Sequence, residues 1–246
     1  MGLAHSPSII SDGLIIYIDA ANRRSYAGSG TVWLDLSGIG NTAYLINGPS
    51  FSGSGGTCVI SCDGTNDYIE ILDNSSLDFG SNNFTIEYWA KKTEATVSYD
   101  NIWGPNKWKS GGIAGTNEWA LSIGNGDAPG NGDQMSLYIE SGTTVYGFVN
   151  SSYTLLNNWK QYVGVRSGAS LLLYLNGVSL GSSSPSGMSA ATSVNNVSGR
   201  NLRINNSGVD NYHTKADNSI LRIYNRALSS TEILQNYNAT SKRFGL

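Results

Sequence analysis

Apolar and polar residues alternate along most of this chain with a period of two, in short runs separated by Gly, Asn, Ser and Asp. That pattern predicts strands with one face in a core and one face outside it. Between Phe84 and Ala90, Phe84, Ile86 and Tyr88 fall on one face, and Thr85, Glu87 and Trp89 on the other. From Glu118 to Ile123, Trp119, Leu121 and Ile123 share a side, and Met135–Glu140 with Val145–Asn150 read as a hairpin pair. The stretch Trp159–Gly181 reads as three strands in a row. In the first, Val163 and Val165 alternate with Tyr162, Gly164 and Arg166, the mark of a half-buried strand. The second is the apolar run Leu171–Leu175, and Asn176-Gly177 then supplies the two positive-φ positions of a type I′ hairpin.

Further strands are predicted at Leu14–Ile18, Val32–Leu36, Tyr44–Ile46, Thr57–Ser61, Asp67–Ile71, Leu202–Ile204 and Ile220–Tyr224. One helix stands apart. Ser229-Ser230-Thr231-Glu232 is a capping box, and Ile233, Leu234 and Tyr237 give it an apolar face that ends near Asn238. About a dozen strands, frequent turn signals and one late helix predict an all-β antiparallel sandwich or barrel. No composition break divides the chain, so residues 13–246 are expected to form one domain after a tail of residues 1–12.

Composition agrees with β structure: 246 residues hold 30 Gly, 14 Tyr and 6 Trp. Only 13% are charged and the net charge is −3, so no pull toward nucleic acid is expected. No apolar run is long enough for a membrane-spanning helix, so no membrane insertion is expected. Basic residues gather late, at Arg200, Arg203, Lys215, Arg222, Arg226, Lys242 and Arg243. In an extended strand, Cys58 and Cys62 would sit roughly 13 Å apart, beyond disulfide reach, so two reduced thiols are expected.

Three kinds of site chemistry follow. Calcium takes several oxygen ligands on a loop, and Asp35 with Asn41, or Asp63 with Asp67, offer them around tight turns. The alternative is that these side chains cap turns through their own backbone. Sugars are held by aromatic platforms with amides and charges around them. Tyr99, Trp103 and Trp108 lie in an irregular stretch where such platforms fit, with a core lid or a subunit contact as the other readings. Trp89, Trp119 and Trp159 read as core, and Trp33 is open between the two roles. Catalysis lacks its parts. There is no close carboxylate pair in strand phase, and the only histidines are His5 and His213, with no nucleophile elbow before the latter. No enzyme is expected.

Several segments together carry a family likeness: GLIIYIDAANRRSYAGSGTVWLDLSG, INGPSF, CDGTNDYIEI, FTIEYWAK, NWKQYVGVRSGASLLLYLNGVSLG and RIYNRALSSTEILQNYNATSKRFGL. In this order they resemble the concanavalin A-like, laminin-G-like jelly-roll domains, and more narrowly the stand-alone copies among tailed-bacteriophage structural proteins. The resemblance implies two facing antiparallel sheets of six or seven strands each, with a concave sheet and rim loops available for binding. It implies a non-catalytic structural protein at the virion surface, a decoration or a tail-associated adhesin for host attachment. Its partners would be other virion proteins of capsid or tail, a host cell-surface glycan, and further copies of itself. Calcium at the rim loops is also implied, and Lys242 and Arg243 are expected to meet an acidic neighbour. The alternatives are a free glycan-binding lectin module and a glycoside hydrolase acting through Glu87.

Overall fold

The structure, a computed structural model, describes residues 7–93, 104–109, 114–125, 133–153, 157–206 and 213–246. The first half of the chain contributes β1 (Leu14–Asp19), β2 (Val32–Trp33), β3 (Ala43–Ile46), β4 (Ser50–Ser52), β5 (Val59–Asp63), β6 (Tyr68–Ile71) and β7 (Phe84–Lys92). Then come β8 (Trp119–Asn125), β9 (Asp133–Ser141), β10 (Thr144–Tyr153), β11 (Lys160–Ser167), β12 (Ser170–Leu175) and β13 (Val178–Ser183). The chain closes with β14 (Leu202–Ile204), β15 (Lys215–Tyr224), the helix α1 (Ser230–Thr240) and a 3-10 turn, Ser241–Phe244.

These strands form the expected antiparallel sandwich. The first sheet has the order β13-β12-β11-β7-β15-β5-β4, and β1 also pairs with β15. The second has two parts, β10-β9-β8 and β14-β6-β3-β2. They are joined through Asn106, which bridges to Ala120 on one side and Arg203 on the other. The first sheet thus has eight strands, one or two more than the family likeness implies, because both β5 and β1 find room along the ten residues of β15.

Between the sheets the alternating residues meet. Phe84, Ile86 and Tyr88 of β7 face Trp119, Leu121 and Ile123 of β8 in one apolar core, with Phe79 stacked on Phe84 at 4.3 Å. Trp33 belongs to that core as well, which settles its role. Both cysteines are buried free thiols, and burial, with the nearby carboxylates of Asp67 and Asp63, pushes the Cys62 thiol well up.

The outer face of the first sheet is also covered. Val163, Val165, Tyr174, Tyr224, Leu228 and Ile233 make a second apolar cluster there. Strand β11, read from its alternation as half-buried, is therefore buried on both faces: α1 lies over what would have been its wet side. The helix is set by its capping box, with Ser229 and Glu232 bonded reciprocally. It crosses the type I′ turn, where Asn176 and Gly177 have φ of 52° and 76°. A Cβ on Gly177 would sit 3.1 Å from Leu234, so the close approach needs glycine twice over.

Under the helix lies a buried ion pair, Glu87 with Arg222 at 2.7 Å. The remaining Glu87 lone pairs accept from Trp89 Nε1, Gln161 Nε2 and Asn236 Nδ2. Further along, Phe244 stacks on Trp89 (4.8 Å) and meets Trp159 at a tilt (4.5 Å). The neighbouring Arg243 donates both terminal nitrogens to Asp19, at 2.7 and 2.9 Å. The acidic neighbour expected for the basic C-terminus is thus, for Arg243, a residue of this same chain. Of the segment expected as a tail, residues 8–12 are held to the sandwich: Ile10 N donates to Asn236 Oδ1, and its carbonyl accepts from Tyr224.

Candidate functional site

The outer face of the second sheet has no helix over it among the described residues, and its register brings a line of side chains together. Val32 pairs Tyr44, Tyr44 pairs Glu70, and Glu70 pairs Arg203. Arg203 pairs Asn106, Asn106 pairs Ala120, Ala120 pairs Tyr138, and Tyr138 pairs Gly147. The next row along, Trp33, Ala43, Ile71 and Leu202, is buried in the core. By the period of two, the first row lies on the outer face, where Val32, Tyr44, Glu70, Arg203 and Tyr138 are at least partly exposed while Asn106 and Ala120 are buried. At about 4.8 Å per strand its seven steps span roughly 34 Å.

The row is continuous only because residues 104–109 act as a strand. Asn106 N donates to Arg203 O (2.9 Å) and Arg203 N to Asn106 O (2.8 Å). On the other edge Lys107 N donates to Trp119 O and Leu121 N to Pro105 O. Gly104 makes the approach possible, since a Cβ there would lie 2.1 Å from the Leu121 carbonyl oxygen. The Asn106 side chain fixes the register, its Nδ2 donating to the carbonyls of Gly104, Arg203 and Asn206.

Lys107, fully buried, anchors this strand by pairing with Asp73 (2.9 Å), Asp78 (3.1 Å) and Glu118 (2.9 Å). Burial pushes the Glu118 carboxyl up to about 7, with Lys107 holding it back from going further. Burial would pull the Lys107 ammonium down, but Glu118, Asp73 and Asp78 outweigh it and leave it raised. The same acids tether the loop before β14. Val197 N donates to Glu118 Oε1, Gly199 N to Asp73 Oδ2 and Asn196 Nδ2 to Asp78 Oδ2.

Tethered this way, the loop closes a pocket of about 70 Å³ lined by Trp108, Gly199, Arg200, Asn201 and Arg203. Trp108 is half-buried, with its ring 6.1 Å from that of Tyr138. Arg203 pairs with Glu70 at 2.9 Å and lies over the Tyr68 ring at 4.9 Å. The His213 ring stands 6.0 Å from that of Tyr68. Aromatic rings, guanidinium groups and amides thus share one open face, an arrangement suited to stacking against sugar C–H faces and bonding their hydroxyls.

Of the three aromatic residues expected as platforms, Trp108 lies in this pocket, whereas Tyr99 and Trp103 fall outside the described residues. Tyr68, Glu70, Arg200, Arg203 and Tyr138 were not singled out from the sequence. The signal was there in part: Tyr68 and Glu70 alternate with Ile69 and Ile71, which marks them as outward.

Asp35 stands at the centre of its turn. Its Oδ1 accepts from the backbone of Tyr17 and Ser37, and its Oδ2 from Ser37 Oγ, Gly40 N and Asn41 N. Five donors leave a cation no open oxygen on Asp35 without undoing the turn. Asn41 donates to Ile15 O and Ser76 Oγ, while its own Oδ1 is buried with no partner among the described residues. Asp63, exposed, accepts from Thr65 N and Asn66 N, which draws its carboxyl below the usual range. Burial raises that of Asp67, and the Asp63 charge adds to it. Among the described residues no three His, Cys, Asp or Glu side chains gather in a metal-holding cluster. Glu87, the residue weighed for hydrolysis, lies on the opposite sheet, 1% exposed under α1.

Comparison with known proteins fits this architecture. The binding domain of Paraclostridial Mosquitocidal Protein 1 superposes with a TM-score of 0.70 at 18% identity, over 93% of this chain and 52% of that one. The binding domain of Botulinum Neurotoxin DC, solved in complex with SialylT, gives 0.66 at 12% identity over 94% and 52%. Domain 4 of AbnA, a GH43 extracellular arabinanase from Geobacillus stearothermophilus in complex with arabinotriose, gives 0.64 at 14% over 91% and 98%. The chain therefore spans about half of the toxin binding domains and nearly all of the arabinanase domain. A search of curated protein sequences returns no match. Residues 63–234 match Laminin_G_3, and the chain belongs to the concanavalin A-like lectin/glucanases superfamily.

Proposed function

We propose that this chain is a non-catalytic binding domain that presents the outer face of its second sheet to a glycan. The observation that carries the reading is the group of partly exposed rings and guanidinium groups, Tyr68, Arg203, Trp108 and Tyr138, gathered around the Trp108 pocket. The lectin-like fold supports it, and so do the neighbours with ligands, the arabinanase domain with arabinotriose and the toxin domain with SialylT. Against hydrolysis stands the placement of Glu87, sealed under α1 and saturated by four donors.

The setting proposed is the surface of a bacteriophage particle, where the domain acts as a decoration or a tail-associated adhesin. That part rests on the likeness of the closing segments to phage structural proteins. A purely architectural role on the particle is the second reading. It is favoured by β10, an outermost strand of the second sheet that exposes Val145 and Val149. The test is a glycan array probed with the full chain and with Trp108→Ala, each with calcium and with EDTA. Binding that Trp108→Ala abolishes supports the adhesin, and EDTA sensitivity brings in calcium at the Asp63–Asp67 loop. No binding in any arm overturns the glycan reading and leaves the architectural one.

A further inference from the structure

Resting on that reading of the open face, we propose that the pocket between Trp108 and Arg203 takes the carboxylate of an acidic sugar, a uronic or a sialic acid. The pocket, about 70 Å³, is bounded by Trp108, Gly199, Arg200, Asn201 and Arg203. Trp108, half-buried in its wall, offers a flat face against which a sugar ring can stack while a substituent reaches the arginines.

Charge makes the choice among substituents. Two of the five lining residues are arginines, a third is an amide, and none is a carboxylate. The nearby acids are already engaged. Asp73 binds Lys107 with one oxygen and Gly199 N with the other. Asp78 binds Lys107 and Asn196 in the same way, and Glu118 binds Lys107 and Val197 N. Arg203 has Glu70 as its carboxylate partner. Arg200 has no carboxylate within ion-pair distance among the described residues. Its Nη2 donates to the Thr116 carbonyl, and its Nε is buried with no acceptor there. Its Nη1, by contrast, is not buried and has no acceptor among the described residues. A ligand group that carries a full negative charge is the acceptor that best satisfies it. The loop that presents Arg200 is held from behind by Asp73 and Glu118, so the guanidinium is set before a ligand arrives.

The test is calorimetric titration of the full chain with oligogalacturonate, its methyl ester, a sialyl-oligosaccharide, its neutral counterpart and a sulfated oligosaccharide. Charge-assisted bonds predict that one acidic ligand binds about tenfold or more tighter than its own neutral form, with the gap narrowing as salt is added. Arg200→Gln should remove that gap, weakening the acidic form at least tenfold more than the neutral one, while Arg200→Lys should keep part of it. Thermal melts of the variants check that they are folded. Equal affinity for acid and neutral forms overturns this proposal while leaving glycan binding intact. A sulfated ligand that outcompetes both carboxylates overturns the assignment to a carboxylate. Binding of no sugar in any arm overturns the proposal together with the reading it rests on.

Discussion

The two sheets of this sandwich share one core and differ in what lies over their outer faces. On the first sheet, α1 and the Ser241–Phe244 turn seal an apolar cluster, an ion pair and an aromatic stack. On the second, Tyr44, Glu70, Arg203 and Tyr138 keep at least partly exposed rings and charges side by side. A buried charge must be saturated at once, as Glu87 is, whereas an open face can keep donors for a partner. Stability thus rests on the sealed side, and the proposed recognition on the other. Substitutions should separate them.

The largest effect should come from Glu87→Ala on the sealed side. It strands Arg222 in the interior and should cost about 3–5 kcal/mol in urea unfolding, a range set by broken buried pairs. Next comes Gly104→Ala, which drives a Cβ against the Leu121 carbonyl at the seam of the open sheet. It should cost about 1–3 kcal/mol, the usual range for overpacking, and should weaken sugar binding as well by moving Trp108.

The two sides should also answer acid with opposite signs. Glu118, behind the pocket, has its carboxyl raised by burial from 4.5 to about 7. The folded state holds that proton more tightly than the unfolded one, so its contribution is full below 4.5 and is lost as pH rises through 7. Glu232, at the helix cap, is lowered from 4.5 to about 2 by Arg226 and its cap bonds. Its contribution is full above 4.5 and is lost as pH falls toward 2. Melting temperature followed against pH should lose the first limb in Glu118→Gln and the second in Glu232→Gln. The Glu232 pair is partly exposed, so that variant should cost only about 1 kcal/mol, most of it from the cap. Smallest of all in stability is Tyr44→Ser at the far end of the open row, expected within about 0.5 kcal/mol. If the row extends that far, its sugar affinity should still fall.

The contrast between the faces was only half legible in the sequence. Local chemistry came through: the capping box at Ser229, the I′ turn at Asn176-Gly177 and the two faces of β7 each follow from neighbours along the chain. What failed to come through depends on distant partners. Nothing local to Val163 and Val165 says that a helix some seventy residues later will cover them. The stretch 104–109 reads as irregular because its strand character comes from Asn106 side-chain bonds and from β8 and β14, not from alternation. Trp108 is legible by residue type, whereas Arg200 and Arg203 stand in the sequence only among its late basic residues. Their role appears when the loop before β14 is folded against Asp73 and Glu118.

Under the proposed function, a ligand meets the open face of the second sheet and not α1. The direct measurement is the shift of backbone amide resonances in the full chain on titration with the strongest array ligand. The account predicts perturbations along Tyr68, Glu70, Arg203, Asn106, Trp108 and Tyr138, with Ile233, Asn236 and Phe244 unmoved. Perturbations gathered over α1, with the open row silent, would contradict it.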